Sequence, residues 1–291
     1  YSEERELRKE ITLAFGRRGY KKNKNNNTEI IIQIISLRKE RAKLLGYNSH
    51  AEFILEERMA SSVSEVKKFL DDLAIKAFPA AEKEWNAMNT FAKSKLNLKK
   101  LEKWDSAFVS EKMKKAQLDL DELELKPFFS LDNVLNGLFK IVKKLYELDF
   151  NENYDIQRYN NEVRVFEVFK NDKFYALLYA DFFPRPGKRS GAWMTSFRSQ
   201  KKNQRPHVSI VCNFSRPTKT NPSLLTFQEV TTLFHEFGHA LHGILANTSY
   251  GSLSGTNVYW DFVELPSQIM ENWCYEKEAL LIYAKHYKTG K

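Results

Sequence analysis

"TTLFHEFGHALHG", Thr231 to Gly243, sets two histidines around a glutamate at HExxH spacing, with a third histidine three residues further on. Side chains four apart on a helix project from one face, one turn apart, so His235 and His239 can converge on a single ion. Neutral imidazole is a good ligand for zinc. Glu236, next along the helix, reaches the same region and suits a general base that takes the proton of an attacking water. With 6 histidines in 291 residues, chance produces this spacing in roughly 1% of such chains, so the motif needs support from its surroundings.

That support starts just upstream. Thr226 and Glu229 form a capping-box pattern directly before an apolar-periodic run. Leu233, Phe234, Phe237, Leu241 and Ile244 can bury the rest of the helix, and Gly243 and Asn247 weaken or end it. Gly238 leaves room for a neighbour to approach closely. A zinc site still needs a third protein ligand. Glu264, in "NVYWDFVELPSQIMENW", follows a loop through "GSLSG" and opens a second helix. It shares a face with Gln268 and Glu271, a polar row in an otherwise apolar segment. The alternative for Glu264 is an ordinary solvated or capping glutamate after Asp261. Glu271 suits a second role, accepting the other ring N–H of a ligand histidine. Pro266 is tolerable in a first helical turn. His242 reads as a polar neighbour and not as a fourth ligand.

Further out, the period changes. "VRVFEVF" (163–169), "FYALLYADFF" (174–183), "GAWMTSF" (191–197) and "HVSIVCNF" (207–214) are β-branched and aromatic runs divided by turn formers. They predict a small mixed or antiparallel sheet beside the HExxH helix, with an edge able to hold an extended peptide by backbone hydrogen bonds. His207 receives no role. Upstream, apolar residues recur at helical spacing: from Thr28, a candidate cap, to Leu45 before Gly46; from Ser64, another candidate cap, to a stop or bend at Pro79; and again from Ser130. "KKNKNNN" (21–27) is a polar loop. The reading is a mostly α-helical α+β protein, with a helical region over 1–160, the sheet over 161–215 and the metal-binding helices over 224–291.

Bulk properties narrow the class. Hydrophobic content of 42% beside 29% charged residues is that of a globular chain. The formal charge of +9 comes from lysines scattered among glutamates on helix faces, as in "SEVKKFLDD", which argues for solvated surface and against nucleic-acid binding. Two cysteines, Cys212 and Cys274, make neither a disulfide framework nor a cysteine metal cluster, and no apolar run reaches membrane-spanning length. The chain opens at Tyr1 and runs directly into a helical pattern, so compartment is not written in its first residues.

Together, "LFHEFGHALHGIL" and "GTNVYWDFVELPSQIMENW" resemble the thimet-oligopeptidase family of zinc metallopeptidases, of the gluzincin HExxH type. "GKRSGAWMTSFRSQ" and "PHVSIVCNFSRPT" are similar to its peptidyl-dipeptidase (dipeptidyl carboxypeptidase) branch, and "LRKERAKLLGYNSHAEFILEERMA" to its helical region. The resemblance implies a zincin-like fold whose parent protein encloses a deep channel for short unstructured peptides. It implies one Zn²⁺ per chain on His235, His239 and Glu264, with Glu236 as base. It further implies a substrate-backbone edge at Arg189 to Met194, including Gly191 and Ala192. The activity implied is release of C-terminal dipeptides. The alternatives are internal cleavage by an oligopeptidase of the same family, an inactive peptide-binding module or a zinc-free helical scaffold. Family segments before Tyr1 and after Lys291, the latter stabilising the oxyanion, are expected to be missing here, leaving a partial catalytic domain inactive by itself. A monomer in the cytoplasm is expected, the alternative being a periplasmic or membrane-anchored location outside it.

Overall fold

The computed structural model describes residues 2–118 and 122–291, so residues 1 and 119–121 of the expected helical region lie outside the described residues. The chain divides into two compact units, Tyr1–Asp121 and Glu122–Lys291.

The first unit is helical: α1 (Arg5–Gly16), α2 (Thr28–Leu44), α3 (His50–Leu55), α4 (Val63–Leu96) and α5 (Ser106–Leu118). Its buried cluster is small, consisting of Ala92, Leu101, Phe108 and Val109. An ionic node pins α1 to it. Fully buried Asp105 accepts from Arg5 Nη2 at 2.7 Å and from Arg8 Nη2 at 3.0 Å, and Arg8 stacks on Phe108 at 4.0 Å. Three expectations are refined here. The cap of α4 is Ser62, which accepts from the Glu65 amide, and not Ser64. Pro79 does not end α4, which runs through it. The carbonyl that Pro79 cannot pair is on Ile75, and Ile75 and Phe78 are 72% and 71% exposed, so water can satisfy it. Thr28 opens α2 but does not cap it; the N-cap position is Asn27.

The second unit is α+β. After α6 (Glu122–Leu125) and a 3₁₀ turn, α7 (Leu131–Tyr146) is capped by Ser130 and ends at Glu147, whose φ is 60°. Five strands follow: β1 (Leu148–Glu152), β2 (Arg164–Lys170), β3 (Lys173–Asp181), β4 (Trp193–Arg198) and β5 (His207–Val211). Their order is β1-β2-β3-β5-β4, mixed as expected, since β3 and β5 run parallel and the other pairs antiparallel. The sheet opens at Leu148, ahead of the 161 boundary read from the sequence, because β1 is a short, half-polar strand.

One sheet face and α7, α8 (Phe227–Ile244) and the helices after it enclose the core of Leu138, Phe166, Leu178, Ile210, Phe234, Phe237 and their neighbours. The capping box of α8 forms: Thr226 Oγ1 accepts from the Glu229 amide at 3.1 Å and Glu229 Oε2 from the Thr226 amide at 2.7 Å. At its other end Arg205 donates to the carbonyls of Ile244 at 2.6 Å and Ala246 at 3.1 Å, a cation on the negative pole of the helix. The last helices are α9 (Trp260–Val263), α10 (Leu265–Asn272) and α11 (Lys277–Tyr283).

Candidate metal centre

Helix α8 carries His235 and His239 on the face turned to α10, while Phe234 and Phe237 anchor it in the core. The close approach of α10 is possible because residue 238 is glycine. A Cβ there would stand 2.6 Å from the Pro266 oxygen and 2.6 Å from the Ser267 Cα, closer than any real side chain tolerates. Glu264 sits at the junction of α9 and α10, with Pro266 in the first turn, as the ring requires. Ser267 Oγ donates to the Glu264 carboxylate at 2.8 Å. Backbone contact at Gly238 and this side-chain bond together set Glu264 against the two histidines.

The geometry suits a metal. Glu264 Oε2 lies 3.2 Å from His235 Nε2 and 3.1 Å from His239 Nε2, and the candidate ligand atoms of the three residues all fall within 4.8 Å of one another. Tetrahedral ligands around zinc, at about 2.0–2.1 Å from the ion, stand about 3.3 Å apart. Two imidazole nitrogens and one carboxylate oxygen also form a donor set to zinc's taste. His235 Nδ1 is 2.6 Å from Glu271 Oε1, which fixes the ring and leaves Nε2 to face the cluster. The donor set therefore fits a zinc ion.

Glu236 lies beside this cluster, 5% exposed, and its buried Oε2 meets no hydrogen-bond partner among the described residues. Burial, reinforced by Glu264 and opposed by His235, raises its carboxyl to about 7. A buried carboxylate oxygen without a donor is costly to a fold, which singles the residue out for a chemical role. Burial lowers His239, against a smaller raising effect of Glu264. His242, one turn beyond His239 and outside the ligand cluster, stands edge-on to Phe262 with ring centres 6.2 Å apart, and burial lowers it too. Its Nδ1 is buried without a partner, so the polar contact expected for it is not made there.

Gly191 and Ala192 lie just before β4, an edge strand whose Thr195 to Arg198 are exposed. Gly191 takes a φ of 100°. Asn213 Nδ2 donates to its carbonyl at 2.7 Å and to that of Arg189 at 3.0 Å. Reading the sequence by period passes over Asn213 and Lys188. The only local signal of either is a polar residue breaking the run "HVSIVCNF". His207, at the start of β5, is lowered by burial and by Arg198, and it stands at the far end of its strand from Cys212.

Comparison with known proteins gives the chain a family. The model of peptidase family M3 matches residues 1–291. Oligopeptidase A of Salmonella typhimurium is 39% identical over 100% of this chain and 44% of its own length. Dipeptidyl carboxypeptidase of Escherichia coli is 37% identical over 99% of this chain and 43% of its own. Saccharolysin of Saccharomyces cerevisiae is 32% identical over 91% and 40%. The chain thus spans less than half the length of these relatives. No helix among the described residues is long and apolar enough to cross a membrane.

Proposed function

Because the chain belongs to peptidase family M3, we propose that it carries the metal centre and general base of a zinc-dependent hydrolase of short, unstructured peptides. The observation that carries this reading is the convergence of His235, His239 and Glu264 on one point, with Glu236 unpartnered beside it.

In this reading the two Nε2 atoms and Glu264 Oε2 would hold the ion, and Glu271 keeps the His235 ring in the tautomer that presents Nε2. A bound zinc would polarise the scissile carbonyl and make water acidic enough to lose a proton near neutrality. Glu236 takes that proton from the attacking water onto a carboxylate oxygen and then delivers it to the leaving amine nitrogen, so the peptide C–N bond breaks without an acyl-enzyme. The edge from Gly191 through β4 holds the substrate backbone in extended form.

Release of C-terminal dipeptides is the first mode proposed, in keeping with the identity to a dipeptidyl carboxypeptidase. Internal cleavage is the second, favoured by the slightly higher identity to oligopeptidase A. A cytoplasmic monomer accompanies either mode, and the two buried free cysteines suit a reducing compartment. Mass spectrometry of products from a decapeptide, offered with a free and with an amidated C-terminus to the full-length, zinc-loaded protein, tests the proposal. A dipeptide from the free form alone supports the first mode, and cuts inside both forms support the second. Intact peptide beside stoichiometric zinc rejects hydrolysis.

A further inference from the structure

The connection from β3 to β4 is held from behind by a buried polar set. Lys188, with 4% of its side chain exposed, places Nζ 2.9 Å from Asp181 Oδ1. The same atom lies near the carbonyl oxygens of Asp181 at 3.1 Å, Phe183 at 2.8 Å and Cys212 at 2.5 Å. Arg185 grips the Asp181 carboxylate with both nitrogens, at 2.7 and 2.8 Å, and Tyr159 donates to it at 2.9 Å. Further along, Asn213 fastens the carbonyls of Arg189 and Gly191. A Cβ on Gly191 would meet nothing within 4 Å, so the glycine serves its φ of 100° and not a tight fit. Removing Lys188 alone would leave the buried Asp181 carboxylate and three carbonyl oxygens short of a donor, which is destabilising. What the polar set adds is a fixed position for particular carbonyl groups.

That position is tied to the metal centre by two fixed points. The Ser215 amide donates to Glu229 Oε1 at 2.9 Å near the start of α8, and a Cβ on Gly243 near its end would lie 2.9 Å from Val208 Cγ1. Between Glu229 and Gly243 the helix rises about 21 Å, and extended chain from Val208 to Ser215 covers about 23 Å. Helix α8 therefore runs antiparallel beside this strand, and Glu236, midway along that stretch, is level with Val211 and Cys212. Val211 pairs with Trp193 across the sheet. Gly191 and Ala192 consequently stand across from Cys212 and Asn213, at the height of Glu236.

We propose that Asn213 and Lys188 are positioning residues, which hold the Arg189–Ala192 backbone as a ledge at the height of Glu236 and so set which peptide bond of an extended substrate reaches that carboxylate. This rests on the peptidase reading above. Asn213→Asp keeps the shape, loses both donors and turns an anion toward two carbonyl oxygens. In the full-length, zinc-loaded protein the expected result is a KM for the decapeptide raised about tenfold, the size of losing two backbone-anchoring hydrogen bonds. The kcat should stay within about twofold, because the interaction serves ground state and transition state alike. Zinc content should be unchanged. Lys188→Met should raise KM in the same sense and shift the distribution of cleavage positions.

A purely structural role would lower Tm and leave KM and the cleavage pattern as they are, and that result overturns the proposal. A separate arm uses the unmutated protein with decapeptides N-methylated at one amide each. If hydrolysis proceeds and no N-methyl group raises KM, substrate does not pair with the ledge and the proposal fails while the peptidase reading survives. If the unmutated protein hydrolyses nothing, the peptidase reading falls and takes the ledge with it.

Discussion

Helices α4 and α8 solve different problems. Helix α4 runs from Val63 to Leu96 with Ala92 as its one buried residue, and it leaves Phe69, Leu73, Ile75 and Phe78 more than half exposed. Helix α8 is about half as long, yet it buries both faces: Phe234, Phe237 and Ile244 against the core, and Glu236 and His239 toward the candidate metal centre. The Ser62 cap and helix-favouring residues support the winding of α4. The lateral position of α8 is fixed by side chains in contact on several sides, each worth about 1.5–3 kcal/mol of burial. Winding a helix is local, whereas aiming three ligand atoms at one point needs the second kind of support.

The contrast can be broken most sharply at Glu236. Exchange to Gln keeps the shape and removes the base, so kcat should fall by about 10²–10⁴-fold while zinc stays bound. A variant that retains full activity would remove Glu236 from the chemistry. Next in size is a pair of tests, one on a buried residue and one on an exposed one. Phe234→Ala in α8 should cost about 3–5 kcal/mol in denaturant unfolding. Ile35→Ala on α2, whose residue is 60% exposed, should cost no more than about 0.5 kcal/mol. A cost at Ile35 near the Phe234 value would mean that this face of α2 is covered in the working protein. Glu271→Ala comes third: with the His235 ring no longer held, zinc affinity should drop by about 10–100-fold, measured by competition with a chelator. Unchanged affinity would reduce Glu271 to a bystander.

The smallest effect concerns acid. Asp105 in the first unit and Asp181 in the second are both buried, which by itself would raise their carboxyls. Hydrogen bonds outweigh this, from Arg5 and Arg8 in one case and from Arg185, Lys188 and Tyr159 in the other, and both acids lie below the usual range. A carboxyl held low in the folded chain and ordinary in the unfolded one contributes stability in full above about pH 4. That contribution disappears as pH falls through the folded value. Unfolding free energy should therefore decline below about pH 4, and Asp181→Asn should flatten the decline. An identical acid response in that variant would show that Asp181 is not the group responsible.

Much of this could be read before any coordinates. The capping box at Thr226 and Glu229 and the ligand-type residues His235, His239 and Glu264 follow from local spacing, and local spacing governs both caps and helix faces. The strand runs after Val163 alternate or are continuously apolar, so their period is visible too. Strand β1 escaped because "LDFNE" has two apolar residues among three polar ones, and only its pairing with β2 makes it a strand. Of the stop or bend read at Pro79 the stop does not occur, because exposure there lets water repair the broken bond, and the ring alone does not carry that information. The set around Asp181 was invisible for another reason: Tyr159, Lys188 and Cys212 are brought together by sheet topology, which no period encodes.

The contact at Gly238 works as a joint made of main chain. Because α8 meets the Pro266–Ser267 backbone there with no side chain between them, the separation of the two helices at that point is set by main-chain atoms. Substitutions among the neighbouring side chains leave that separation as it is. One added methyl group, at position 238, is enough to pry the joint open.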